Sequence, residues 1–221
     1  MLNDVKDFIT IRLVFSKTGK ARYISHLDLN RAMIRAVRRA RLPVWYTQGF
    51  NRHPYVTFAA PLSLGYEGMH ETMDLRLEGE MPMGELVSRL NAVLPEGLRA
   101  LSAAKAERKP GEVAGARYEM IVGCPPATVQ ALLEKENIPV EKRTKKKNLK
   151  TVDLKPVLVA SAWTLCEDRA GCRLELTLPC GSESVNPGLL VEALKGESGE
   201  KEMSCLIRRL EVYASDGRPF R

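Results

Sequence analysis

Nine Lys/Arg residues against a single acid, Asp28, lie between Lys17 and His53, and seven against two lie between Glu141 and Lys155. The two stretches carry +8 and +5 in a chain whose formal net charge is +7, which leaves the remainder net acidic at about −6. Charge concentrated in this way suits a polyanion, and RNA is the first partner to consider.

Spacing sharpens the first stretch. At about 100° per residue, Arg31, Arg35, Arg38, Arg39 and Arg41 fall opposite the apolar arc of Leu29, Met33, Ala36, Val37 and Ala40. A plain solvated face is the alternative, but such a face usually interleaves Glu with Lys or Arg at i,i+4, and this one does not. Arginines in a row repel one another unless an anion lies across them. Just beyond, Gln48-Gly49-Phe50-Asn51-Arg52-His53-Pro54 offers Gln48, Asn51 and His53 as hydrogen-bonding groups for base edges or phosphate, Phe50 with Tyr46 and Tyr55 as stacking surfaces, and Arg52 as a further charge. The second stretch, with Lys142, Arg143, Lys145, Lys146, Lys147 and Lys150, reads as a loop over 142–150 that meets a phosphate backbone by charge; a solvated hairpin tip is its plain alternative.

A catalytic reading is also open. A metal-independent endoribonuclease needs a proton acceptor, a proton donor and cations on the scissile phosphate, and His26, His53, Tyr23 and the arginines are of the right types. A histidine before proline in a loop, or at a first helical position, is more often structural, so catalysis is the lesser alternative.

Composition narrows the field. No apolar run approaches the ~20 residues that span a bilayer, and the first residues, Met1-Leu2-Asn3-Asp4-Val5-Lys6, lack the n- and h-regions of a signal peptide, so the expected location is the cytoplasm, away from any membrane. Five cysteines, Cys124, Cys166, Cys172, Cys180 and Cys205, match no zinc or iron–sulfur spacing and read as reduced, mostly buried thiols. No cofactor or metal is expected.

The elements that must position these residues read as β-α-β-β-α-β twice over. Strands are predicted at Ile11–Ser16, Val44–Tyr46, Thr72–Leu77 and Leu98–Ala106, with helices over Leu27–Arg41, opened by Ser25 and Asp28, and over Met83–Leu94. Residues 47–69 form a long insertion between the second and third strands, of the kind retained for function, in which Val56–Ala60 can add a strand. After a linker at 109–116, a strand at Tyr118–Val122, a helix over Pro126–Asn137, a strand pair Val152–Leu165 and Cys172–Leu178, a helix from Asn186 to Gly196 and a strand at Leu206–Ala214 complete the second unit. The fold class is therefore α+β, with two ferredoxin-like units in tandem over 1–108 and 117–221; a single larger α+β domain is the alternative.

Arg22-Tyr23-Ile24-Ser25-His26-Leu27-Asp28-Leu29, the arginine-rich helix, Leu42-Pro43, Gln48-Gly49-Phe50-Asn51, His53-Pro54, Pro61-Leu62, Gly65, Lys145-Lys146 and Val152-Asp153-Leu154-Lys155-Pro156 carry a family resemblance. Together they are similar to the radical SAM-linked proteins, a bacterial family of unknown function, with Arg52 standing where that family usually has proline. The resemblance implies a radical SAM enzyme as a partner in trans and a setting in tRNA or rRNA metabolism, and it carries over no catalytic residue. The cysteines, 42, 6, 8 and 25 positions apart, supply no closely spaced three-cysteine motif, so the chain reads as an accessory module that presents RNA rather than as the radical enzyme. A looser likeness, of fold only, is to the CRISPR RNA-processing endoribonucleases with paired ferredoxin-like units. A scaffold whose basic face docks an acidic protein is the third possibility.

Overall fold

Alternation along Ile9–Lys17 (β1) puts Ile11, Leu13 and Phe15 on one face and Arg12, Val14 and Ser16 on the other. In the computed structural model, which describes residues 8–143, 149–161, 163–181 and 184–221 and leaves out the Arg143 side chain, that alternation organises the first of two units, Met1–Val113 with Glu211–Arg221. His26–Arg39 (α1) follows β1, and Val56–Phe58 (β2) leads into the long strand Glu67–Leu77 (β3). Met83–Asn91 (α2) and Leu98–Lys105 (β4) complete the sequence. β1 pairs antiparallel with β3, Leu13 opposite Met73 and Ile11 opposite Leu75, and with β4 on its other edge. β2 takes the far edge of β3, Val56 opposite Leu75 and Phe58 opposite Met73.

Leu29, Met33, Ala36 and Val37 of α1 and Leu86 and Leu90 of α2 pack with Leu13, Phe15, Met73, Leu75 and Leu77 into one buried cluster. Each large side chain of this cluster contributes about 1.5–3 kcal/mol by leaving water. Two expectations are corrected here. Val44–Tyr46 forms no strand: Val44 makes an isolated bridge to Leu77 and Tyr46 one to Pro54, because the chain leaves β3 after Trp45 and Val56 takes the place opposite Leu75. The first helix ends at Arg39, and Arg41 closes it in the left-handed conformation, φ 51°.

The face of β1 turned away from the helices holds the least expected contact. Arg12 is buried and forms a bidentate pair with Asp74, its register partner on β3, Nε and Nη2 each 2.8 Å from a carboxylate oxygen. Nη2 also donates to the Arg108 carbonyl at 2.8 Å, and the guanidinium lies 3.9 Å from the centre of the Phe220 ring, itself fully buried. The last eleven residues thus belong to the first unit, held further by Arg108 on Asp216 at 2.7 Å and by the Phe220 N–H on the Val212 carbonyl at 2.8 Å.

The second unit is Ala114–Leu210. Residues 109–116, read above as a linker, hold the 3-10 turn Pro110–Glu112 and the start of Val113–Val122 (β5). Pro126–Glu134 (α3) is followed by Pro139–Arg143 (β6) and Leu149–Asp153 (β7), which pair as a two-stranded sheet, and by the short helix Lys155–Ala160 (α4). Trp163–Asp168 (β8), Gly171–Pro179 (β9), Gly188–Ser198 (α5) and Cys205–Ala214 (β10) complete the chain, the strands running in the order β10-β5-β9-β8.

The continuous strand expected over Val152–Leu165 is in fact strand, helix and strand. Asp153 Oδ1 accepts the N–H groups of Ile138 at 2.7 Å and Lys155 at 2.9 Å, and Pro156 lies in the first turn of α4, where its missing N–H costs nothing. The last helix likewise ends not at Gly196 but at Gly199, φ 73°, in the left-handed region that favours glycine. Across the described residues the protein is thus α+β with five helices.

Removing one partner of a buried ion pair strands the other, at about 3–5 kcal/mol. Asp74→Ala is therefore expected to lower the urea unfolding midpoint severely, whereas Arg12→Met combined with Asp74→Leu restores most of the loss. A single substitution no worse than the double one would refute the pairing.

Candidate nucleic-acid interface

The arginine row depends on how α1 starts. Ser25 Oγ accepts the Asp28 N–H at 3.1 Å, a cap of about 1 kcal/mol, and its own hydroxyl donates to Asp28 Oδ2 at 2.8 Å. That hydroxyl, then Arg31, hold the Asp28 carboxyl below its usual range. Arg31, Arg35, Arg38 and Arg39 are all exposed. Arg31 meets Asp28 at 3.1 Å with both side chains mostly in water, so the pair is worth little. Arg39 donates to the Val93 carbonyl at 3.1 Å. Arg35 has no ion pair or hydrogen bond among the described residues, and Arg38 faces the Tyr46 ring, 5.9 Å from its centre.

Tyr46 is the base of a projecting hairpin, which puts the insertion against the arginine row. The stem is tied to β3 by the Trp45 N–H on the Arg76 carbonyl at 2.9 Å and closed by the Tyr55 N–H on the Trp45 carbonyl at 3.1 Å. The Arg76 guanidinium lies 3.9 Å from each of the Phe8 and Tyr55 ring centres and 5.1 Å from that of Trp45, anchoring the stem among aromatic rings. Above it the Thr47 N–H donates to the His53 carbonyl at 2.9 Å, and the His53 N–H to Thr47 Oγ1 at 3.2 Å.

His53 Nδ1 lies 2.9 Å from the Asn51 carbonyl and 3.2 Å from Thr47 Oγ1. Because a carbonyl only accepts, Nδ1 must carry the proton, and the ring locks its own loop. Gly49, at φ 110°, makes the turn that a side chain would resist. What remains at the tip, Gln48, Phe50, Asn51 and Arg52, is exposed, Phe50 fully so, with 109% relative exposure.

His26 and Tyr23 lie at the other end of α1. The imidazole stacks edge to face on Phe58, centroids 5.0 Å apart, and Nδ1 is buried with no hydrogen-bond partner. Burial first, and then the charge of Lys17, push its pKa below the usual 6.5. Tyr23 is exposed, hydrogen-bonded to Arg22 and covered by that guanidinium at 4.6 Å. Sequence reasoning missed Lys17 and Glu67. Buried Lys17 donates to the Arg22 and Ile24 carbonyls at 3.3 and 3.1 Å, and buried Glu67 accepts the Gly19 N–H at 2.8 Å, so together they shape the turn that launches α1. The signal was present: Lys17 continues the core-facing series Ile11, Leu13, Phe15.

In the second unit, Arg143 falls at the end of β6 and exposed Lys150 in β7. Lys142 donates to the Ser184 carbonyl at 3.3 Å. Lys145, Lys146 and Lys147 lie outside the described residues.

A family profile described as uncharacterized proteins conserved in bacteria (DUF2344) matches residues 10–187. The chain belongs to this family. No curated protein matches it significantly. Among solved structures it is similar to an unknown protein from Galdieria sulphuraria, at 14% identity over 92% of this chain and 99% of that one, with a TM-score of 0.27, too loose an overlap to bear on fold or function.

Family membership brings no ligand with it, so the chemistry rests on the side chains. Among the described residues no three His, Cys, Asp or Glu converge as a metal-holding group, and no helix is long and apolar enough to cross a membrane. Cys124, Cys172 and Cys180 are buried and Cys166 and Cys205 exposed, all as free thiols. Cys124 and Cys172 sit with their sulfurs 3.8 Å apart, and burial raises both, Cys172 to about 12.

A histidine whose folded pKa is depressed gives stability that is fully present above its unfolded value and lost as pH falls toward the folded one. Below about pH 6.5 the protein is therefore expected to lose urea resistance, and His26→Gln to lose less of it over the same range. Parallel pH profiles of midpoint for the two proteins would contradict the assignment.

Proposed function

We propose that this chain is a non-catalytic RNA-binding module that presents a structured RNA, tRNA or rRNA, to a radical SAM enzyme in trans. The observation that carries the reading is the exposed row Arg31, Arg35 and Arg38, which runs into an internally hydrogen-bonded hairpin carrying Gln48, Phe50, Asn51 and Arg52. Arginine forks fit phosphate oxygens, and a row with so little internal neutralisation favours an external anion. Arg143 and Lys150, with Lys145, Lys146 and Lys147, add a second basic element that contacts backbone without reading sequence.

In the first unit β4, β1, β3 and β2 are neighbours in that order, and in the second β10, β5, β9 and β8 are; the equivalent positions support two ferredoxin-like units, the second with β6, β7 and α4 inserted. The radical SAM partnership rests on the family resemblance, and the wide cysteine spacing leaves any such cluster to the partner. A nuclease using His26 and His53 has less support, since His53 Nδ1 is engaged within its own loop and His26 Nδ1 is buried beside Phe58.

Replacing Arg31, Arg35 and Arg38 together with Glu is expected to weaken binding of a tRNA pool at least a hundredfold at low salt. Replacing them with Gln instead should make the slope of log affinity against log salt shallower by roughly 1.5, as two lost phosphate contacts require. Circular dichroism should be unchanged in both. Undiminished affinity in the Glu variant would overturn the reading, and capture of an acidic protein that survives nuclease treatment would replace it with protein docking.

A further inference from the structure

We propose that the site takes an unpaired nucleotide, its base stacked on the Phe50 ring, so that the RNA is engaged at a single-stranded segment or loop and not along a duplex. This rests on the reading above and narrows it.

Phe50 is unlike the other aromatic residues near it. Phe8, Trp45 and Tyr55 surround Arg76, and Tyr46 meets Arg38, while Phe50 is fully exposed and meets no ring or guanidinium among the described residues. Isolated exposed apolar side chains are common, and exposure alone would mean little. Here the ring stands on a tip whose conformation is held by the bonds of Thr47 to His53 and of His53 to Asn51, with Gly49 making the turn, so it cannot fold back onto the core. A preorganised ring with both faces in water is a platform for another flat group, and it keeps that availability at little conformational cost on binding.

The neighbours specify which flat group. The arginine row spans about 10 Å from Arg31 to Arg38, room for two neighbouring phosphates of one strand, and its Arg38 end abuts the hairpin stem. A strand lying along the row reaches the tip with its bases free to turn toward Phe50. Gln48 and Asn51, exposed neighbours of Phe50 in the chain, each carry a donor and an acceptor suited to a base edge. A duplex cannot use this arrangement: its bases are stacked inside, the A-form major groove is too narrow and deep for side chains to read, and an apolar tip pressed on the phosphate surface gains nothing.

The experiment compares a fluorescein-labelled 12-nucleotide RNA of mixed sequence, single-stranded, with the same strand in a blunt duplex, by anisotropy at fixed salt. Phe50→Ala is expected to weaken single-strand binding roughly 5- to 150-fold, the range that loss of one base–aromatic stack gives, and to leave duplex affinity and the salt slope unchanged. Phe50→Trp should retain binding and show quenching on addition of the single strand. Equal effects of Phe50→Ala on both probes, or none on either, overturn the stacking proposal while the Arg31/Arg35/Arg38 variant still tests RNA binding separately. Failure of the wild-type protein to bind either probe removes both readings, and loss of a protein partner instead of RNA would make Phe50 a protein-docking ring.

Discussion

The Arg12–Asp74 pair is the constraint on which the rest of the first unit depends. A guanidinium with 0% side-chain exposure in the middle of β1 is tolerable only with its charge matched, and here Nε and Nη2 are engaged while Nη1 is buried without a hydrogen-bond partner among the described residues. Asp74 matches the charge, the Arg108 carbonyl takes a further donor, and Phe220 covers the plane. The pair is also a register lock, since a slip of one residue between β1 and β3 would put the two charges on opposite faces of the sheet, one of them on the apolar helix-bearing face. β1 runs on to Lys17 and the turn before α1, and β3 carries Arg76 and the hairpin stem. The two halves of the proposed interface are therefore positioned by the two strands that this ion pair joins.

The interface itself is rigid where rigidity matters and open where contact is made. Lys17 and Glu67 use buried charge to hold backbone groups of the turn, Ser25 caps the helix, and Arg76 with three rings holds the stem. Each of these groups has its partners inside the protein. Arg35 and Phe50, by contrast, are held in place by their elements and exposed, Arg35 with no ion pair or hydrogen bond among the described residues. Groups that are positioned but unsatisfied are what a binding surface requires.

Much of this was legible in the sequence, for identifiable reasons. The arc of Leu29, Met33, Ala36 and Val37 fixes which side of α1 is buried, and the arginines follow by geometry. The hairpin was legible as an insertion but not as a structure, because its order comes from long-range ties such as Trp45 to Arg76. Val44–Tyr46 has strand composition yet lost the β3 edge to Val56–Phe58, a competition that periodicity does not register. The break after Asp153 was signalled by Pro156, but an apolar run on either side outweighed it in the pattern. That residues 211–221 return to the first unit could not be read at all, since neither Arg12 nor Arg108 announces a partner such as Phe220 or Asp216 more than a hundred positions away.

Charge distribution links the fold to the function. Outside its two basic stretches the chain is net acidic, so a nucleic acid approaching at random is repelled by most of the sequence and attracted by a small part of it. Such a field orients the ligand before contact but does not select among ligands, because phosphates are alike. Selection must come from a group that distinguishes one arrangement of nucleotides from another. On the first basic element, beside the arginine row, the groups suited to that task are those at the hairpin tip. An aromatic ring tells an exposed base from a stacked one, and amides beside it can tell one base edge from the next. In the proposed interface the arginine row and the tip thus divide the work between attraction and discrimination, which is why they would be worth most when held side by side.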